Sequence, residues 1–178
     1  SHIRFGNFEF WYHQNKQDEL NQLADFCLAE YFSECLPEPN PHLAMLDEIV
    51  KRTAILIAKW QVQGFAHGVM NTDNMSIIGL TLDYGPFGFL DDYQPNFICN
   101  HSDHSGRYAF DQQPSVGLWN LNALAITFSN WLTDEEITAA LKQYEPILVQ
   151  HYLALMQQKL GLVNWQASDH QLLGEFLS

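Results

Sequence analysis

Two acids and an amide in the middle of this 178-residue chain have the types and spacing for chemistry at phosphorus. The run His67-Gly68-Val69-Met70-Asn71-Thr72-Asp73-Asn74 is followed, nine residues after Asn74, by Asp83-Tyr84-Gly85. An Asp beside an Asn, a short apolar stretch and then Asp-aromatic-Gly is the order in which kinase-like sites hold a divalent cation and a nucleotide's phosphates. Such transfer asks the protein for little covalent work. Hard oxygen ligands for Mg²⁺, or Mn²⁺ in its place, and a base near the incoming hydroxyl carry the catalysis. Asn74 and Asp83 suit the cation, and Asp73 is the candidate base or an orienting partner of the metal ligands. The same residue types also populate ordinary turns, so the pattern alone leaves both readings open.

Several elements must position these residues. Met75 to Leu82 reads as two short apolar strands reversing near Gly79, a hairpin that would bring Asn74 and Asp83 to one end. Leu20, Leu23, Ala24, Cys27, Leu28 and Tyr31 recur at helical spacing and predict an amphipathic helix from about Lys16 to Glu34. Asn40-Pro41 offers a cap and a first helical position for a helix to Gln63, which Gly64 ends, releasing the loop. Thr133-Asp134-Glu135-Glu136 is a capping box, with Leu132 and Ile137 placed for a hydrophobic staple. Pro146 should kink or divide the helix that follows before a second stretch ends at Gly161, and Ser168 to Gln171 repeats the cap pattern of a last helix. Between Tyr84 and Gln113 periodicity disappears, as in a long functional loop. The expected class is mainly α with a small β-hairpin, as one domain over 1–178. It comprises a catalytic loop 64–74, a metal-Asp segment 83–91, a substrate-side loop 84–113 and a helical remainder 114–178.

Four segments add a family signal: Ser1-His2-Ile3-Arg4-Phe5-Gly6-Asn7-Phe8-Glu9, residues 64–76, Asp83-Tyr84-Gly85-Pro86-Phe87-Gly88-Phe89-Leu90-Asp91, and Asn100-His101-Ser102-Asp103-His104-Ser105-Gly106-Arg107-Tyr108. They closely resemble the selenoprotein O family, from Ser1 to about Leu121 and more loosely beyond. The resemblance implies a protein-kinase-like C-lobe of the pseudokinase kind (α+β), ATP bound in a flipped orientation, and transfer of AMP to Ser, Thr or Tyr hydroxyls of other proteins. It implies that Asp73 is the proton acceptor, that Asn74 and Asp83 are the Mg²⁺ ligands, and that Arg4 and Asp83 serve the nucleotide's phosphates. A location in the cytoplasm follows for a bacterial member and in mitochondria for eukaryotic ones. The loop departs from ordinary protein kinases, where an Asp stands two places after the His; here Val69 occupies that place. A nucleotide-binding scaffold without transfer activity and a kinase moving phosphate remain as alternatives.

Composition bounds the rest. A formal charge of −13, with eight Lys and Arg in all, argues against nucleic acid as partner. No run approaches the roughly 20 apolar residues of a membrane helix. A chain of this size can bury about 70% of the surface its unfolded form exposes, so a core needs no staples. There is no Gly-x-Gly, and none of Lys16, Lys51, Lys59, Lys142 or Lys159 sits in a strand-like apolar run. The expectation is a C-terminal-lobe piece of a longer protein, lacking the nucleotide-clamping lobe and inactive alone. Cys27, Cys35 and Cys99 are odd in number, which suits a reducing compartment. Cys99, His101 and His104 are zinc-ligand types without a fourth partner and read as ordinary loop residues. His67 is read as packing and hydrogen bonding. Arg107 is offered Asp103 and Asp111 as charge partners, or solvent.

Overall fold

The computed structural model describes residues 2–163 together with Gln166, Asp169 and Gly174. In chain order come helices α1 (Phe5–His13), α2 (Gln17–Tyr31) and α3 (Pro41–Gln63), strands β1 (Phe65–Ala66) and β2 (Gly88–Phe89), and helices α4 (Gln113–Ile126), α5 (Asp134–Leu141) and α6 (Tyr144–Lys159). Short 3-10 turns occupy Ser33–Cys35, Thr72–Asn74 and Phe110–Gln112. The protein is mainly helical with one two-stranded antiparallel sheet.

The helix signals in the sequence translate directly. The Asn40 side chain accepts from the Leu43 amide, Pro41 takes the first helical position, and Gly64 caps α3 with φ +67, a left-handed geometry that costs glycine nothing. In α2, Leu20, Ala24, Cys27 and Leu28 are buried on one face. Burial pushes the Cys27 thiol up to about 12, so it behaves as a small hydrophobe. At α5 both halves of the capping box form: Glu136 N donates to Thr133 Oγ1 and Thr133 N to Glu136 Oε2. Leu132 and Ile137 both join the core. The predicted division comes just ahead of Pro146, between Leu141 and Tyr144, and the proline sits in the first turn of α6, where its missing N–H leaves no bond unmade. The helix predicted from Ser168 lies outside the described residues.

α3 is the hub: it packs against α2, α4, α5, α6 and β1, and Met45, Leu46, Ile49, Val50, Ala54 and Ile57 on it are fully buried. α1, which no periodicity announced, docks on α2 and α4 through Phe5 and Phe8, both fully buried, with Phe8 stacked on Phe128 at 5.8 Å. Burying each ring contributes roughly 1.5–3 kcal/mol.

The predicted hairpin over 75–82 is corrected. Only a single bridge, Met75 with Thr81, joins its two arms, and the turn at Gly79 (φ +71) rests on the Arg52 backbone of α3. The apolar residues Met75 and Ile77 pair instead with the segment entering α1, where they are sealed into the core. The sheet forms between β1 and β2, Phe65 opposite Phe89 and Ala66 opposite Gly88, across a connection that carries Asp73, Asn74 and Asp83.

Candidate active site

Three segments meet at the N-terminus of α1. Phe5 N donates to Met75 O at 3.0 Å, Ile77 N donates to Ile3 O at 3.3 Å, and Arg4 bridges Ser76. That antiparallel contact sets Arg4 beside the turn Thr72–Asn74. Asn7 completes the start of the helix by accepting from Arg4 N at 2.8 Å. The Arg4 Nη1 group donates to Asp73 O at 2.7 Å and lies 2.8 Å from Asp83 Oδ2, while Nη2 reaches Asp83 Oδ1 at 3.4 Å. One planar guanidinium therefore joins both candidate acid segments. With side chains 32% and 43% exposed, the ion pair contributes little to stability, and its consequence is positional.

The Asp73 carboxylate lies over the first turn of α1. A Cβ built on Gly6 would fall 2.0 Å from Asp73 Oδ1, so only a glycine leaves the carboxylate its place. Nothing in the sequence motif pointed to Gly6. Its one signal is being a glycine that the structure holds inside a helix, at a cost of about 1 kcal/mol relative to Ala. Asn74 Nδ2 donates to Val69 O at 2.8 Å, which commits the nitrogen to the loop and leaves Oδ1 as the amide's electron-pair donor. Asp83 has φ +54, a left-handed conformation that Asp tolerates better than most residues.

His67, immediately after β1, is buried and works on the backbone. Its Nε2 bonds Leu82 O at 2.7 Å, next to Asp83, and its Nδ1 accepts from Val69 N at 3.4 Å. This pair of partners needs the neutral ring with its proton on Nε2. Burial pushes its pKa below the ordinary value, offset in part by the Leu82 hydrogen bond and the charge of Asp83.

Two polar residues of α4 complete the frame, and the sequence reading missed both. Gln113 accepts from His67 N at 2.9 Å and donates to Phe65 O at 2.9 Å; Asn120 donates to Met70 O at 2.8 Å. Both are fully buried. The available signal was two amides seven residues apart in an apolar stretch, hence on one helix face. Asn100 Nδ2 adds a bond to Gly68 O at 3.0 Å.

Arg4, Asp73 and Asp83 are thus brought together by direct contacts, and Asn74 is held beside them by the chain and by Val69. By chemical type the Asn74 carboxamide oxygen and the Asp83 carboxylate are hard oxygen donors of the kind Mg²⁺ takes. Cys99, His101 and His104 do not gather: Cys99 Sγ donates to Ala66 O, and among the described residues no three His, Cys, Asp or Glu side chains converge on a metal position. Arg107 makes neither predicted charge pair among the described residues.

The family described as "Protein adenylyltransferase SelO" matches residues 1–178. The chain is 58% identical over 177 residues to the "Protein nucleotidyltransferase YdiU" of Pseudoalteromonas atlantica, covering 99% of this chain and 37% of that protein. It is 56% identical over 172 residues to proteins of the same name from a Marinomonas species and from Vibrio vulnificus, covering 97% of this chain and 36% and 35% of theirs. The chain spans about a third of the length of these relatives.

Proposed function

Because this chain belongs to the protein adenylyltransferase SelO family, we propose that it forms the catalytic portion of a kinase-like C-lobe that transfers AMP from ATP to hydroxyl side chains of proteins. The observation that carries this reading is the Arg4 guanidinium seated on both Asp83 oxygens and on the backbone of Asp73. A cation able to bind phosphate is there set against a carboxylate able to bind metal, and the same guanidinium holds the backbone of Asp73.

In the proposed reaction the hydroxyl oxygen attacks the α-phosphorus of ATP and the bond to the β-phosphate oxygen breaks. Pyrophosphate leaves with the electron pair, and the proton passes to the Asp73 carboxylate. Asn74 and Asp83 would hold Mg²⁺, which when bound neutralises triphosphate charge and polarises the α-phosphate. Arg4, released from Asp83, would turn its N–H edge to the phosphates and stabilise charge on the departing pyrophosphate. Gly6 gives Asp73 room, and His67 fixes the backbone that presents Asp83.

The test is label transfer by the full-length protein, with ATP labelled at the α- or at the γ-phosphate. Protein-bound label from the α position only, abolished by Asp83→Ala, is the expected result. Label arriving from the γ position would make the protein a kinase, and equal α-labelling by the Asp83 variant would remove the catalytic claim.

A further inference from the structure

The loop that follows Asp83 builds a second feature around Arg107. Asp103, offered by the sequence as its charge partner, is occupied by the loop itself: it accepts from Arg107 N at 3.0 Å, Tyr108 N at 2.7 Å and Ser105 Oγ at 3.3 Å. Among the described residues no carboxylate pairs with the Arg107 guanidinium. It lies instead over two rings, its Cζ 4.8 Å from the Trp119 centroid and 5.7 Å from that of Tyr108. Stacking fixes the guanidinium plane and leaves its N–H edge for a ligand.

Arg107 and Trp119 stand on the wall of an open cavity of about 750 Å³ between α4 and the loop, lined also by His104, Ser105, Gln112 and Asp111. Asp111 is the one carboxylate on that lining among the described residues. In a chain of formal charge −13, the stacked Arg107 is a pre-oriented cation that no described carboxylate pairs with, and it marks where an anionic group is best received. The cavity is also tied to the catalytic loop. Asn120, next to Trp119, holds Met70 O, and Asn100 holds Gly68 O.

We propose that this cavity docks an acidic segment of the protein substrate, a Glu or Asp carboxylate meeting the Arg107 edge and its apolar stem lying on Trp119. Its role in choosing which hydroxyl reaches Asp73 rests on the AMP-transfer reading; the binding itself does not.

The experiment uses the full-length protein and two dye-labelled peptides, each with one serine, flanked by Glu in one and by Gln in the other. Fluorescence anisotropy should show the Glu peptide binding about tenfold more tightly. Arg107→Gln should remove that preference, and Arg107→Lys, which keeps charge without the planar stack, should retain only part of it. Unchanged ATP binding by both variants identifies the loss as local. Equal binding of the two peptides by the wild type, or a Glu preference surviving in Arg107→Gln, overturns the proposal. In the transfer assay, Arg107→Gln should raise KM for the Glu peptide about tenfold with kcat held. Arg107-dependent binding without any α-label transfer would leave the docking site standing and sink the AMP-transfer reading instead.

Discussion

At the scale of single residues, the site depends on one absent side chain as much as on those present. Gly6 sits under Asp73 Oδ1 so closely that an added methyl must displace the carboxylate or the helix. Helix propensity alone would favour Ala there by about 1 kcal/mol, so the glycine is explained by the space it leaves and not by folding. Gly6→Ala should therefore lower AMP transfer by the full-length protein roughly a hundredfold, the scale on which misplaced catalytic groups cost rate. Melting temperature and ATP affinity should change little. A variant transferring at the wild-type rate would show that Asp73 need not occupy its observed position. Asp73, Asn74 and Asp83 stand out in the sequence as candidates by type and spacing, because oxygen ligands and bases are few in kind. Gly6 was not, since a glycine's reason lies in what passes near it.

At the scale of elements, the loop between β1 and the turn Thr72–Asn74 is held by side-chain amides and one imidazole, where regular structure gives out. Gln113, Asn120 and Asn100 take its backbone groups, and His67 ties it to Leu82. Since the buried His67 titrates below the usual 6.5, the unfolded chain binds a proton between those two values that the folded chain does not. Stability should then fall as pH drops below about 6.5 and stop falling from this cause beneath the folded value. Thermal melts of wild type and His67→Gln from about pH 7.5 to pH 5.5 check the sign. The variant should start less stable and lose less on acidification, and parallel curves would remove His67 from the account. Helices with caps and regular apolar spacing were readable in advance, as α3 and α5 illustrate. α1 was not: its run of Phe, Trp and Tyr around a glycine has weak helical preference, and burial of Phe5 and Phe8 decides its state. The hairpin over 75–82 failed for a related reason, because its apolar arm found a better partner in the segment preceding α1.

At the scale of the whole molecule, the chain's acidity and its lack of a glycine-rich cover bear on what it can hold by itself. Arg4 is the one cation placed at the candidate site among the described residues, and it is engaged by Asp83. Mg-ATP should consequently bind the 178-residue chain more weakly than micromolar in titration calorimetry, and much more tightly in the full-length protein. Micromolar affinity of this chain would show that no further lobe is needed to clamp the nucleotide. Among the described residues no helix is long and apolar enough to cross a membrane.

The sequence by itself determined the inventory of oxygen donors, the caps of α3 and α5, and the family, because each is written in neighbouring residues or in long unbroken motifs. Tertiary structure decided that Arg4 crosses to Asp83, that Gly6 underlies Asp73, and that α4 lends two amides to the loop. Those contacts join positions tens of residues apart, and only the packing of α1 and α4 onto the core brings them within bonding distance.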